Sequence, residues 1–258
     1  MLIETNELEK ILDSPNLVLA DCRSFKEYSV GHIPGAVNLD LFAFHWIDTS
    51  NSGFEAFHKQ AEQLFSFSGI SNEKKVVFYD NQSSMLASRG VWLLNYFSHL
   101  DVQMLDGGFQ KWTKENLPTE TKTNNFKPTR FSGKINPSIM TGFEHIRDHM
   151  DELTIIDARS PEEFDGSIIR AARGGHIPNS HNIDFHQNIS EDGTLKNNDE
   201  LEKLYSFPKD AKIVTYCQGA YRAANTFLAL KKIGFENVKV YLGSWGEWGN
   251  KLELPLEK

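Results

Sequence analysis

A short apolar run, a cysteine and a series of mainly small residues follow one another in the chain: Ile213-Val214-Thr215-Tyr216-Cys217-Gln218-Gly219-Ala220-Tyr221-Arg222. The length and β-branched content of the run predict a buried strand. The apolar spacing from Arg222 to Ile233 predicts a helix, which Gly234 ends. Cys217 is therefore expected in a tight turn between a strand and a helix N-terminus, where α/β sheets place ligands.

The same pattern occurs in the first half of the chain, with Asp80 in the position of Cys217. Three other matches occur in the same order in both halves: Val18 to Arg23 with Ile155 to Arg159, Gly31-His32-Ile33-Pro34 with Gly175-His176-Ile177-Pro178, and Gly107 and Trp112 with Gly243 and Trp248. Ordered matches at a nearly constant spacing predict two copies of one unit. The second copy has a short insertion around residues 168–174, before its Gly-His-Ile-Pro sequence.

Each copy alternates short apolar runs with helix-like stretches, which predicts an α/β fold in which a mainly parallel sheet is flanked by helices. The predicted strands are Leu17–Ala20, Val76–Tyr79, Val102–Leu105, Thr154–Ile156, Ile213–Tyr216 and Val238–Tyr241. The stretch between the copies is rich in Thr, Asn, Lys and Pro and lacks helical periodicity. We therefore expect a first domain at 1–122, a linker at 123–137 and a second domain at 138–258.

The composition excludes several classes of protein. Apolar residues make up 40% and charged residues 24% of the 258 residues, which is typical of a globular protein. The net charge of −8 argues against a nucleic acid partner, and no stretch is apolar enough to predict a membrane span. Only two cysteines are present, Cys22 and Cys217, so a disulfide framework is excluded and a reducing, cytoplasmic location is expected.

Cys217 is the candidate nucleophile, and its sulfur is expected to be exposed. A single cysteine is usually a small buried hydrophobe, but this one directly follows a predicted strand. The small residues after it allow the backbone to curl, so that N–H groups and a helix dipole favour a negative charge at the centre of the loop. Such a loop favours the thiolate form of a cysteine. Arg222, at the end of the loop, is expected to brace it or to add positive charge.

These motifs together resemble the two-domain rhodanese family of thiosulfate and 3-mercaptopyruvate sulfurtransferases. The resemblance extends from about Leu12 to Trp248 and depends on several motifs in order: Gly31-His32-Ile33-Pro34-Gly35-Ala36, Leu105-Asp106-Gly107-Gly108-Phe109, Asp157-x-Arg159, Gly175-His176-Ile177-Pro178, Tyr216-Cys217 and Gly243-Ser244-Trp245-Gly246-Glu247-Trp248. It implies that the second domain is catalytic and that the first is an inactive copy, in agreement with Asp80 in the position of Cys217.

The resemblance also implies a mechanism. Cys217 takes the outer sulfur of a small anionic donor as a persulfide and passes it to a thiol or cyanide acceptor, without a metal or an organic cofactor. Anionic donors require positive charge, and the insertion contains Arg170 and Arg173, of which we expect Arg173 to bind the donor. His32 is a further candidate for donor binding, although this histidine is mostly structural in the family. The neutral loop residues Gln218, Gly219 and Ala220 resemble those of mercaptopyruvate enzymes, but Gly219 stands where those enzymes have a serine, and we favour thiosulfate over 3-mercaptopyruvate.

Three further residues are expected to have structural roles. Asp157 and Arg159 are expected to brace each other or the loop. Cys22 is expected to be buried and inert.

Two other functions remain open. The protein could be a persulfide carrier that accepts sulfur from a desulfurase and passes it to a partner. It could also be a cysteine-dependent phosphatase of the same fold, but such loops have five residues between Cys and Arg, and four separate Cys217 from Arg222. The shorter loop favours sulfur over phosphate.

Overall fold

The structure is a computed structural model that describes all 258 residues, and the chain forms two compact units. The first unit comprises Met1–Phe44, Ala56–Asn136 and Ile189–Leu195, and the second comprises His45–Glu55, Pro137–Asn188 and Lys196–Lys258. Each unit therefore contains a short segment from the other half of the chain. The expected linker lies in the first unit up to Asn136.

The helices and strands alternate along both halves of the chain. In the first half they are β1 Leu2–Ile3, α1 Thr5–Glu9, β2 Leu17–Asp21, α2 Phe25–Val30, β3 Val37–Asn38, α3 Asn51–Phe67, β4 Lys75–Tyr79, α4 Met85–Tyr96, β5 Val102–Leu105 and α5 Gly108–Lys114. In the second half they are β6 Met140–Thr141, α6 Phe143–His149, β7 Thr154–Asp157, α7 Pro161–Phe164, β8 His181–Asn182, α8 Asn198–Leu204, β9 Ile213–Tyr216, α9 Tyr221–Lys232, β10 Val238–Tyr241 and α10 Ser244–Trp248. All six predicted strands are present.

Each unit contains one five-stranded sheet, and the two sheets have equivalent strand orders. The order is β1-β5-β4-β2-β3 in the first unit and β6-β10-β9-β7-β8 in the second, and the strands of both sheets pair in parallel. The predicted α/β fold with two tandem domains is thereby confirmed. Because β9 is the central strand of the second sheet, the residue that follows it, Cys217, lies at the middle of the carboxyl edge.

The repeated motifs form equivalent contacts in the two cores. Tyr79 and Tyr216 end the central strands, and their hydroxyl oxygens accept hydrogen bonds from the backbone N–H groups of Ile33 and Ile177, each at 3.1 Å. Both tyrosines are buried. Each Gly-His-Ile-Pro turn is thus fixed to the end of a central strand, which explains why the two motifs occur together in both copies.

The ends of the helices follow from the local sequence. Gly234 has φ = +87°, a conformation that glycine adopts without a steric cost, and it follows α9 as predicted. Ser160 and Glu163 form a capping box at the start of α7, which begins with Pro161. In this structure, every helix is too short or too polar to cross a bilayer.

Candidate active site

Cys217 lies in a loop between β9 and α9, as the sequence predicts. Ala220 closes the loop at φ = 64°, a left-handed conformation that is uncommon for alanine. The sequence predicts an exposed sulfur, but Cys217 is only 1% exposed. It directly follows the central strand of a sheet, and Gly219, Ala220 and Tyr221 after it are also buried. This burial restricts access to small groups.

Ser244 holds the loop in place. Its Oγ accepts hydrogen bonds from the N–H groups of Cys217, at 3.2 Å, and Ala220, at 3.0 Å, and donates one to the carbonyl oxygen of Tyr241 at 2.9 Å. The start of α10 adds two backbone contacts: the N–H of Trp245 donates to the Cys217 carbonyl, and the N–H of Gly246 donates to the Gln218 carbonyl, both at 2.9 Å. The sequence indicates no role for Ser244 beyond its place in the Gly243-Ser244-Trp245-Gly246-Glu247-Trp248 motif.

Arg222 is paired with a carboxylate that lies far from it in the sequence, that of Glu163. The guanidinium donates to Glu163 from Nη1 at 2.5 Å and from Nη2 at 3.0 Å. Burial alone would raise the pKa of Glu163, but the hydrogen bonds and the charge of Arg222 outweigh it and hold the pKa below its usual value. Burial would lower the pKa of Arg222, but Glu163 and the charge of Cys217 raise it. Arg222 therefore stays charged and connects α9 to α7.

Asp157 and Arg159 brace each other, as predicted. Arg159 Nε donates to both carboxylate oxygens at 2.9 Å, and its Nη2 donates to Asp157 at 2.5 Å and to the carbonyl of Gly175 at 2.8 Å. The guanidinium carbon lies 4.6 Å from the centre of the Trp245 ring. The pair thus connects the end of β7, the Gly-His-Ile-Pro turn and α10.

Comparisons with known proteins agree with this geometry. The model of the rhodanese-like domain matches the chain twice, at residues 4–115 and 143–251. The chain belongs to the rhodanese family. Each match contains four of the five strands of its sheet, since β1 and β6 lie just before the matched residues, and the second match contains Cys217.

Individual relatives cover nearly the whole chain. It is 33% identical to the sulfur carrier protein TtuD of Thermus thermophilus, over 100% of this chain and 96% of that protein. It is also 33% identical to the thiosulfate sulfurtransferase of Azotobacter vinelandii, over 100% and 97% of the two chains. The crystal structure of SseA from Escherichia coli, a 3-mercaptopyruvate sulfotransferase by its description, superposes with a TM-score of 0.79 and 27% identity over 95% of this chain and 99% of that one. These relatives confirm the predicted enzyme class, a sulfurtransferase.

The two arginines of the insertion lie in different surroundings. Arg173 donates hydrogen bonds to the backbone carbonyls of Trp248, Lys251 and Leu254 at 2.6–2.9 Å, so its guanidinium holds the segment after α10. The Arg170 side chain is 59% exposed, and its Nε lies 3.2 Å from the Glu163 carboxylate. Gln218, in the loop that contains Cys217, donates from Nε2 to the backbone carbonyl of Arg170 at 3.1 Å. The structure therefore brings Arg170, rather than Arg173, to the loop.

His32 and Cys22 lie in the first unit. Both ring nitrogens of His32 contact backbone carbonyls, Nδ1 that of Tyr28 at 2.8 Å and Nε2 that of Lys122 at 3.1 Å, and the ring stacks on Tyr28. This buried placement gives His32 a structural role, and its binding of a donor stays a prediction. Cys22 is fully buried, and burial and nearby carboxylates raise its pKa well above the usual value. Its predicted inertness is in accord with that placement.

In the first unit, the loop that corresponds to the Cys217 loop holds a carboxylate. The carboxylate of Asp80 accepts hydrogen bonds from the N–H groups of Ser84 at 3.3 Å, Leu86 at 3.1 Å and Ala87 at 3.3 Å, around the start of α4. The first unit therefore fills its own loop with an internal anionic group, where the second unit has Cys217.

Asp80 is expected to make the stability of the protein depend on pH. Burial raises its pKa to about 6 despite the three backbone hydrogen bonds, whereas the pKa of an aspartate in an unfolded chain is about 3.9. The folded state then binds more protons between these values, so stability is lost as the pH rises from about 4 to about 6, by about 3 kcal/mol. Urea unfolding of the wild type and Asp80→Asn at pH 4 and pH 7 checks this, because the difference between the two proteins isolates this group. An unchanged difference would contradict the assignment.

Proposed function

We propose that the protein transfers a sulfane sulfur from a small anionic donor, thiosulfate or 3-mercaptopyruvate, to a thiol or cyanide acceptor through a persulfide on Cys217. One observation carries this proposal: Cys217 directly follows the central strand of its sheet, in the position that Asp80 has in the first unit, where backbone N–H groups hold the Asp80 carboxylate. Four residues separate Cys217 from Arg222, which favours a sulfur atom over a phosphate.

The proposed reaction has two steps. In the first, the Cys217 thiolate attacks the outer sulfur of thiosulfate, the S–S bond of the donor breaks, and sulfite leaves with the electron pair. The helix dipole of α9 and the positive charge of Arg222 stabilise the negative persulfide that forms. In the second, an acceptor attacks the outer sulfur of the persulfide and the Cys217 thiolate leaves. No metal or organic cofactor takes part in either step.

The donor is the open part of the proposal. The relative from Azotobacter vinelandii is named a thiosulfate sulfurtransferase, and the description of SseA names 3-mercaptopyruvate. Gly219 offers no hydroxyl group two residues after the cysteine, which supports our preference for thiosulfate. The test is kcat/KM for the two donors side by side, with mass spectrometry of Cys217 after each. Turnover of neither donor, with no sulfur gained by the protein, would refute the proposal.

A carrier role is the second candidate, and one observation favours it. The relative from Thermus thermophilus is named a sulfur carrier protein. A carrier would gain sulfur on Cys217 from a cysteine desulfurase while it turns over free thiosulfate poorly. Loading from both sources, measured on the same preparation, separates the two roles. The cytoplasmic location expected from the cysteine content stays a proposal.

Arg170 and Arg173 are expected to give opposite phenotypes. Arg170→Gln should raise the donor KM about three- to tenfold with little change in thermal stability, because the exposed guanidinium lies beside Glu163, the partner of Arg222. Arg173→Gln should leave KM unchanged and reduce stability by about 2 kcal/mol, because backbone carbonyls lose a charged donor. Steady-state kinetics and thermal unfolding of both variants check this. A raised KM in Arg173→Gln alone would restore the role that the sequence predicts for Arg173.

A further inference from the structure

His45 comes from the first half of the chain but belongs to the second unit. The segment His45–Glu55 is fixed there by Thr49, whose N–H and Oγ both donate to the carboxylate of Glu247, at 2.9 and 2.5 Å. Tyr241 donates to the same carboxylate at 2.8 Å. The segment is therefore anchored on α10, the helix that also holds the Cys217 loop.

The imidazole of His45 lies directly on that loop. A Cβ atom at Gly219 would be 2.7 Å from His45 Nδ1 and would also collide with Cε1, so the ring occupies the space that a side chain at 219 would need. Nδ1 lies 3.2 Å from the hydroxyl of Tyr221, and the two rings are parallel within 4°, with centroids 5.8 Å apart. His45 is at the same time exposed to solvent. It is thus an imidazole that contacts the loop and faces the medium from which an acceptor arrives.

We propose that His45 takes the proton of a thiol acceptor in the second half of the reaction. This inference rests on the proposed sulfur transfer through Cys217. The neutral imidazole removes the proton from R–SH, and R–S⁻ attacks the outer sulfur of the Cys217 persulfide. The S–S bond of the persulfide breaks, Cys217 leaves as a thiolate with the electron pair, and the imidazolium returns the proton to the persulfide product. Because alkyl thiols are mostly protonated at neutral pH, a neighbouring base lowers the barrier to forming the attacking thiolate.

Tyr221 and Gly219 fix where this base is. The Tyr221 hydroxyl contacts Nδ1 and limits rotation of the ring. Gly219 leaves the space that the ring fills, and its backbone conformation does not itself require glycine, since its φ is not positive. The identity of residue 219 therefore decides whether a base from the segment 45–55 can reach the loop.

The test uses the full-length protein with its persulfide preloaded from thiosulfate, followed by a single discharge. One acceptor is glutathione, which must lose a proton, and the other is thionitrobenzoate, an aromatic thiol that is already ionised at pH 7. In His45→Gln we expect discharge to glutathione to slow by roughly 10²-fold, and discharge to thionitrobenzoate to change less than about threefold. His186→Gln, at an exposed histidine of the same unit, is the control and should behave like the wild type. Added imidazole should restore part of the glutathione rate in His45→Gln.

A second variant tests the same contact from the other side. Gly219→Ala places a methyl group against the imidazole, and because the histidine side chain can swing away, the loop is kept while the base is displaced. We expect this variant to lose the glutathione reaction selectively, and the double variant to be no slower than His45→Gln, since the two changes remove one interaction.

The outcomes distinguish a failure of the proposed sulfur transfer from a failure of the proposed role of His45. A wild-type protein that gains no sulfur on Cys217 overturns the proposed function and this inference with it. Normal loading in every variant, with both acceptors slowed equally or neither slowed, overturns the role of His45 alone.

Discussion

Replacing Cys217 by serine is expected to reduce sulfur transfer by at least about 10³-fold, to the background rate without protein. A serine hydroxyl is not ionised at neutral pH and forms no persulfide, so the first step has no nucleophile. The fold should persist, because serine is close to cysteine in size and the Ser244 contacts to the loop involve backbone atoms. Donor consumption and the intact mass of the protein after donor exposure check this.

Cys22→Ala is the matched control for that experiment. Cys22 follows β2 as Cys217 follows β9, one strand away from the equivalent position, and it is fully buried. We expect Cys22→Ala to keep the activity and the gain of one sulfur atom. If Cys217→Ser still turned over the donor and Cys22→Ala did not, the nucleophile would be in the first unit and the assignment of Cys217 would be wrong.

Asp157→Ala is expected to cost about 3–5 kcal/mol of the free energy of unfolding. The Asp157 and Arg159 side chains are 0% and 1% exposed, so removal of the carboxylate leaves a buried guanidinium without its counter-charge. The remaining hydrogen-bond partner of the guanidinium, the Gly175 carbonyl, cannot replace a charge. Urea unfolding monitored by circular dichroism measures the loss, and the activity should fall with the folded fraction.

An exposed ion pair in the same unit gives a reference for this loss of stability. Glu152 and Lys212 are 2.8 Å apart and more than half exposed, so Glu152→Gln should cost less than about 1 kcal/mol. Asp21→Ala should resemble Asp157→Ala, because Asp21 and Arg23 form the equivalent buried pair in the first unit, on the carbonyl of Gly31. Equal small losses at Asp157 and Glu152 would show that the buried pair contributes no more than a surface one.

Much of the fold could be predicted because its signals are local. The strand Ile213–Tyr216 is a short run of β-branched and aromatic residues, and the structure has it at those bounds. The helix predicted from Arg222 to Ile233 is observed at Tyr221–Lys232. Because the sequence contains the unit twice, each strand is predicted from two separate stretches, and the equivalent strand orders of the two sheets confirm the repeat. Cys217 was found for the same reason, since a strand, a cysteine and a series of small residues are adjacent in the chain.

The parts of the site that the sequence did not show depend on contacts between distant residues. Arg170 and Arg173 are three positions apart and chemically identical, yet one is exposed beside Gln218 and the other binds the segment after α10. The pairing of Glu163 with Arg222 spans 59 positions in the sequence. No local pattern encodes such a pairing.

The sequence by itself determined the two-copy α/β fold, the turn that carries Cys217 and the family, because short-range periodicity and ordered motifs specify secondary structure and its order. Only the tertiary structure decided which side chains surround that turn. Ser244 holds it, Arg222 pairs with Glu163, and His45 contacts it from the opposite half of the chain. These contacts arise when sheets and helices pack, and packing joins residues according to shape and burial rather than according to their distance along the chain.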